Sequence, residues 1–371
     1  MKKRMFSLLM CVAGCGPAQV REPVDVAAAE PGPRMAAGNG APERPDGPIT
    51  AELRDETIAA ILRELPARYV YPDLTAPAVA AIRERQGRGE YAGISTGQAL
   101  AAALTQHINE VLKDAHFRVF FSVARLPERV QADKPTPEEL AKHAEVERAV
   151  NGGFERAERL PGNIGYLEVR SFGFTRRGYD AAAAAMAFLA ETDALIVDIR
   201  RNGGGDPDMV ATLTTYLFGE SVHLNDIYYR PDNATRQYWT LPGVPGRRYL
   251  GREVYVLTSK QTGSGAEEFA YNLQQLKRAT IVGETTWGGA NPGDVVRLGD
   301  HFSAFVPTGA AINPITKTNW EGVGVKPDVA TPADDALRVA QVRILEQKLA
   351  AEQDPELRRG LEDRLRELAG K

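Results

Sequence analysis

Apolar residues between positions 51 and 113 recur at helical spacing. Ile58, Ile61, Leu62 and Leu65 mark one stripe, and 76–86 and 97–112 repeat the pattern. The spacing predicts two or three short helices packed as a small bundle. The period then changes: 117–121 reads as a strand, and the polar stretch behind it carries a predicted helix over 137–150. From Asn163 onward, apolar runs bounded by turn residues alternate with amphipathic segments. Strands are predicted at 164–169, 194–199, 253–258 and 280–283, with helices at 178–191, 207–218 and 265–276. This alternation is the pattern of an α/β layer with crossover connections. A β-rich segment over 295–312 and one charged helix over 334–368 complete the body.

The front end breaks all of these patterns. Met1-Lys2-Lys3-Arg4 is followed by an apolar stretch to Ala13 and then Gly14-Cys15, the layout of a bacterial secretory leader, too short to span a bilayer. Val12-Ala13-Gly14-Cys15 resembles the lipobox of bacterial lipoproteins. Residues 1–14 are therefore expected to be removed, leaving Cys15 as a diacylated anchor on an extracytoplasmic protein. Residues 16–50 hold seven Pro, seven Ala and five Gly and no aromatic, a composition that cannot offset its ordering entropy and reads as a tether over 15–50.

Composition narrows the chemistry. The 45 Lys+Arg and 49 Asp+Glu are interspersed, with a net charge of −4, which argues against a nucleic-acid partner. Both cysteines, Cys11 and Cys15, lie in the leader region, so the body offers no thiol for a disulfide, a thiolate metal site or a cysteine nucleophile. No metal cluster or nucleotide loop is evident, so neither metal nor cofactor is expected. Ser264 stands where an apolar strand gives way through small residues to a helix, so backbone N–H groups and the helix dipole would face an oxyanion formed there. Read locally, it is more readily an N-cap and nothing more. Gly203-Gly204-Gly205 follows a strand without the Lys-Ser/Thr of a phosphate loop, and serves as well for a tight turn or an oxyanion hole. Of the five histidines, His116 differs in standing at the junction of the helical region and the first strand. It is the candidate base; His107, His143, His223 and His301 read as structural or solvated.

Six segments appear in an order that resembles the tail-specific (C-terminal-processing) serine peptidases. They are Asp114-Ala115-His116-Phe117-Arg118, the stretch 160–167, Asp198-Ile199-Arg200-Arg201-Asn202-Gly203-Gly204-Gly205, the Ser264 segment, the stretch 282–290, and Gly324-Val325-Lys326-Pro327-Asp328. The resemblance covers residues 51–332 and is strongest to the branch containing tricorn protease and the interphotoreceptor retinoid-binding protein modules. It implies a crotonase-like α/β core over 114–332 preceded by the 51–113 helical bundle, with the C-terminal helix in 333–371. The short interval between residues 121 and 163 leaves little room for a PDZ domain. In the Ser-Lys type of this family a lysine follows the Thr-aromatic-Gly motif; here Trp287-Gly288 is followed by Gly289. The tricorn-like type implies Ser264 as nucleophile, His116 as base and Glu321 as orienting acid. The Gly265 amide and one from Gly203 or Gly204 would form the oxyanion hole. Tricorn-like sites carry a serine directly before the histidine, where this chain has Ala115.

The resemblance thus implies a lipid-anchored serine peptidase acting on peptide or protein substrates. A non-catalytic module binding an apolar ligand or peptide is the alternative, since it would keep the fold without the triad. A coenzyme A thioester enzyme rests on crotonase-like topology alone. Cleavage specificity and oligomeric state are not legible.

Overall fold

The computed structural model describes residues 45–128 and 136–370, so the leader, Cys15 and most of the tether lie outside the described residues. In chain order the elements are α1 (Ala51–Arg68), α2 (Pro72–Gly87), α3 (Gly97–Leu112), β1 (Arg118–Phe121), α4 (Pro137–Ala149), β2 (Phe154–Leu160), β3 (Ile164–Val169), α5 (Thr175–Phe188), β4 (Ala194–Asp198), α6 (Pro207–Thr215) and β5 (His223–Tyr229). There follow β6 (Ala234–Trp239), β7 (Glu253–Thr258), α7 (Gly265–Gln275), β8 (Thr280–Gly283), β9 (Gly293–Arg297), β10 (Phe302–Pro307), β11 (Gly309–Ile312), β12 (Val329–Ala330), α8 (Ala336–Ala351) and α9 (Pro355–Ala369). The chain is mixed α/β, as the alternating pattern predicts.

A six-stranded sheet in the order β12-β8-β7-β4-β3-β2 forms the centre, parallel throughout except for antiparallel β2 at one edge. Its strands are apolar on successive residues because both faces are covered. Leu195 and Val197 of β4, with Val254 and Val256 of β7, point to one face and pack with α5, α6 and α7. Ala194, Ile196, Tyr255 and Leu257 point to the other and meet Ala340, Ile344 and Leu345 of α8 and Leu361 of α9. Fully burying one such aliphatic side chain is favourable by about 1.5–3 kcal/mol, so an Asp at Val197 would cost that contact and strand a carboxylate in the core.

The helices α1–α3 do not close a core alone. Ile58, Ile61, Leu100, Leu104 and Ile108 pack with Phe117 and Val119 near β1 and with Val296, Phe302 and Ala304 of β9 and β10. Those three strands form an antiparallel sheet in the order β1-β10-β9, while β11, β5 and β6 form another. The predicted single C-terminal helix is two, because Glu352 leaves the helical region and Asp354-Pro355 restarts it, the Asp354 carboxylate accepting from Glu356 N and Leu357 N. No described helix is long and apolar enough to cross a membrane.

Candidate active site

Strands β4 and β7 are parallel neighbours, and the loops leaving their C-terminal ends run side by side into α6 and α7. Ligand sites of open α/β sheets form at such an edge. The two loops are tied together: Thr262 Oγ1 donates to Ile199 O at 2.9 Å, and Gly263 N donates to Asn202 O at 3.1 Å. Ser264 then caps α7 with φ 52° and ψ −123°, outside the regions an L-residue ordinarily occupies. Such a conformation costs on the order of 1–3 kcal/mol and persists only where its surroundings hold it. The glycine run supplies part of that hold: Gly204 has φ +112°, and a Cβ there would stand 2.7 Å from Ser264 Cβ and 2.8 Å from Gly265 N. Gly204 N is taken, donating to Asn202 Oδ1 at 2.9 Å. The N–H groups of Gly203 and Gly265 have no partner among the described residues.

Glu267, which the sequence reading passed over, supplies the rest. Its buried carboxylate accepts from Ser264 N at 2.8 Å, Thr286 Oγ1 at 2.5 Å, Gly288 N at 2.6 Å and Gly289 N at 2.9 Å. Burial pushes its pKa up to about 7, against the pull of those donors. Ser264-x-x-Glu267 at a helix start is a capping-box spacing, the signal that could have found it.

The Trp287–Gly289 segment held by Glu267 links the Ser264 loop to His116. A Cβ on Gly263 would sit 3.1 Å from the Trp287 ring, and that ring meets the His116 ring edge-on with centroids 4.8 Å apart. A Cβ on Gly289 would run into Trp287 Cζ3 and lie 2.6 Å from His116 Cε1, so the indole and imidazole rings together leave no space for a side chain there. Phe305 stacks on the imidazole at 5.8 Å. His116 leaves α3 through Lys113, in the left-handed region, and an Asx turn in which Asp114 Oδ1 accepts from His116 N at 3.0 Å. Its Nδ1 is buried and has no hydrogen-bond partner. Burial lowers its pKa to about 4, so the ring is neutral at physiological pH.

Glu321 reaches the same place from the loop before β12. Its Oε1 accepts from Ala115 N at 2.8 Å, and its Oε2 from Ala290 N at 2.6 Å and Asn291 N at 3.2 Å. Burial, and secondarily the Asp114 charge, raise its pKa to about 7. Asp114 is buried with its pKa raised by desolvation, and its Oδ2 accepts from Tyr69 OH at 3.0 Å and Asn291 Nδ2 at 2.9 Å. Donor atoms of Asp114, His116 and Glu321 lie within 4.8 Å of one another. The trio could in geometry hold a cation, but both carboxylates already accept backbone and side-chain donors. A cleft of about 370 Å³ lined by Val70, Tyr71, Ala311, Ile312 and Asn319 opens nearby, with Asn319 Oδ1 accepting from Glu321 N at 2.9 Å. The remaining histidines are held in other contacts or rings, for example His223 Nε2 to Asp226 Oδ1 at 2.7 Å and His107 Nδ1 to Tyr91 OH at 2.9 Å.

Residues 163–331 match peptidase family S41. Among curated proteins, the chain is 25% identical to a carboxy-terminal-processing protease of Bartonella bacilliformis, over 46% of this chain and 39% of that one. It is 27% identical to the tricorn protease of Thermoplasma volcanium, over 36% of this chain and 12% of that one. The chain thus spans less than half the length of these relatives. Among solved structures, a candidate peptidase from Parabacteroides merdae superposes with a TM-score of 0.57 at 20% identity, covering 81% of this chain and 99% of that one, a likeness of fold. The matched segment contains Gly203, Ser264 and Glu321, with His116 ahead of it, and it is through residues 163–331 that the chain is similar to peptidase family S41.

Proposed function

We propose that the protein hydrolyses peptide bonds in peptides or proteins through an acyl-enzyme formed on Ser264, with a Ser-His-Glu site of the tricorn-like kind. The observation that carries this reading is the pairing of a strained, glycine-backed Ser264 with two unengaged N–H groups, Gly265 and Gly203, one on each adjoining loop. Ser264 Oγ attacks the scissile carbonyl carbon and its proton passes to His116 Nε2. The oxyanion is taken by the Gly265 and Gly203 amides, and losing one such donor typically costs about 3 kcal/mol in the transition state. Imidazolium returns the proton to the leaving amine, and water repeats the sequence on the acyl-enzyme. Ionised Glu321 supports the imidazolium electrostatically, one of its oxygens and an imidazole nitrogen lying within 4.8 Å of each other. Ala115, where tricorn-like sites have serine, leaves that support to Glu321 directly or through water.

The same reading takes the 114–332 segment as a crotonase-like core without a PDZ domain, the 51–113 helices as its preface, and Cys15 as a diacylated anchor on an extracytoplasmic membrane face. Replacing Cys15 by Ala should move the protein from the membrane to the soluble fraction, and an unchanged distribution would remove the anchor from the account. The catalytic half is tested with a fluorophosphonate probe: wild type should be labelled at Ser264, and His116→Ala should abolish labelling with its Tm nearly unchanged. A folded wild type that takes no label would favour the non-catalytic binding module, for which the missing partner on His116 Nδ1 is the supporting observation.

A further inference from the structure

The proposed proton transfers use His116 and Glu321 and leave out a second carboxyl, Asp114, which is 2% exposed two residues before the histidine. One oxygen of each carboxyl and a ring nitrogen of His116 lie within 4.8 Å of one another, so two acids crowd a single base. Their donors differ. Asp114 Oδ1 takes His116 N at 3.0 Å, and Oδ2 takes Tyr69 OH at 3.0 Å and Asn291 Nδ2 at 2.9 Å. Glu321 takes its bonds from the backbone, at Ala115 N, Ala290 N and Asn291 N. All of these donors are neutral. The hydroxyl on Asp114 comes from the helical region: Tyr69 closes α1, 1% exposed, its N–H donating to Leu65 O at 3.0 Å. Arg230 of β5 donates to the Tyr69 carbonyl, and Val70 N donates to Pro307 O at 2.9 Å, so the tyrosine is pinned between the bundle and the strands behind it. Both Tyr69 and Asp114 lie ahead of residues 163–331, the segment that matches the peptidase family. Around the pair stand three more titratable groups: Tyr71, its OH 3.4 Å from Asn291 Oδ1, Glu267 beneath Gly289 N, and exposed Lys113 beside Asp114 in the chain.

Two carboxylates this close repel, so the pair keeps a proton to higher pH than either acid would alone. The donors decide which one carries it. Burial raises the Asp114 pKa, but the Asn291 amide, the His116 and Phe117 N–H groups and Tyr69 OH favour its charged form. Glu321 is raised by burial first and then by the Asp114 charge. We infer that Asp114, bonded by Tyr69, is a positioning residue that keeps the shared proton on Glu321, and that the helical bundle thereby sets the pH at which the site gains its orienting acid. Below that pH Glu321 is neutral and cannot support an imidazolium. As pH rises its proton leaves to solvent, and the charge that His116 needs beside it is present.

This inference rests on the peptidase reading, and the test separates the two. The rate of fluorophosphonate labelling at Ser264 would be followed against pH in wild type, Asp114→Asn and Tyr69→Phe. In the same proteins the Glu321 carboxyl would be titrated by NMR with 13C-labelled glutamate, Glu321→Gln assigning the signal, a readout that needs no nucleophile. Asp114→Asn retains an acceptor for His116 N while removing the charge. Tyr69→Phe removes one hydroxyl, so that Asp114 holds more of the proton itself, and it keeps the test open should Asp114→Asn not fold. In wild type both the labelling rate and the Glu321 signal should change through about pH 7. Both midpoints should fall by at least about one pH unit in Asp114→Asn, and by a smaller amount in the same direction in Tyr69→Phe. Labelled enzyme whose midpoints stay at the wild-type pH in both variants, or move up, overturns the role of Asp114 and leaves the peptidase reading standing. A folded wild type without label overturns the peptidase reading, and the Glu321 titration then decides by itself whether Asp114 governs that proton.

Discussion

The Ser264 side and the His116 side of this site are built in opposite ways. Around Ser264, Asn202 Oδ1, Thr262 and Glu267 lock the backbone by hydrogen bonds, and the Gly203 and Gly265 N–H groups are left open. Around His116 a buried carboxyl and a half-buried one crowd one imidazole, and neither bonds its Nδ1. One half is preorganised by hydrogen bonds, while the other is held by packing against Trp287 and Phe305 with its electrostatics unset. Strain can be kept at a nucleophile only where the surroundings overdetermine it. A base needs freedom to take up and return a proton, so a neutral ring beside a poised acid suits its work.

Substitutions should separate the halves. Glu321→Gln should lower kcat/KM by about 10³–10⁴-fold with little change in Tm, since Gln keeps an acceptor for the Ala290 or Ala115 amide but cannot balance imidazolium charge. In the wild type, kcat/KM should rise with pH through about 7. The sign follows from Glu321: its pKa is raised to about 7, so it carries charge only above that pH, whereas His116, lowered to about 4, is already neutral there. A pH profile flat from 5 to 9 would contradict the assigned role. Glu267→Ala should show the reverse pattern, a loss of about 3–5 kcal/mol of stability in chemical denaturation, because four donors lose their buried acceptor. If it unfolds like wild type, the claim of a locked nucleophile loop fails.

Gly204→Ala is the next smaller test. Its Cβ would press on Ser264 at 2.7 Å from a left-handed backbone, for an expected loss of about 2 kcal/mol and slower fluorophosphonate labelling. The remaining test is read through pH, at Glu268. Its folded pKa of about 8 lies above the ordinary 4.5, so its contribution to stability is full below about pH 4.5 and is lost as pH rises through 8. Glu268→Gln should therefore flatten the fall of Tm between pH 5 and 8, measured by calorimetry. An unchanged slope would mean that the carboxyl is ionised throughout.

Much of the scaffold was legible because its signals are local. The apolar runs of β3, β4, β7 and β8 and the stripe of α3 fall within a residue or two of the predicted bounds. The polar strand β6, whose residues are mostly exposed, carries no apolar run to mark it, and β2 alternates too weakly to stand out. The break between α8 and α9 was written in Asp354-Pro355, a cap and a first-turn proline, but uniform charge along the segment hid it. At the site, junction positions, strand to helix and helix to strand, made Ser264 and His116 candidates, and the roles proposed for them came from the family resemblance. The nearness of Glu321 to Ala115, across 206 residues, was implied by family resemblance and not by any local pattern. Glu267 was missed because a glutamate in a first helical turn is ordinary; its burial beneath Gly288 and Gly289 is a tertiary fact.

The most direct measurement is fluorophosphonate labelling of the full-length protein, with the modified residue located by peptide mass mapping and Ser264→Ala as its pair. The account predicts one adduct, on Ser264, absent from the Ser264→Ala variant. A folded wild-type protein that stays unlabelled, or carries its adduct on another serine, would contradict it.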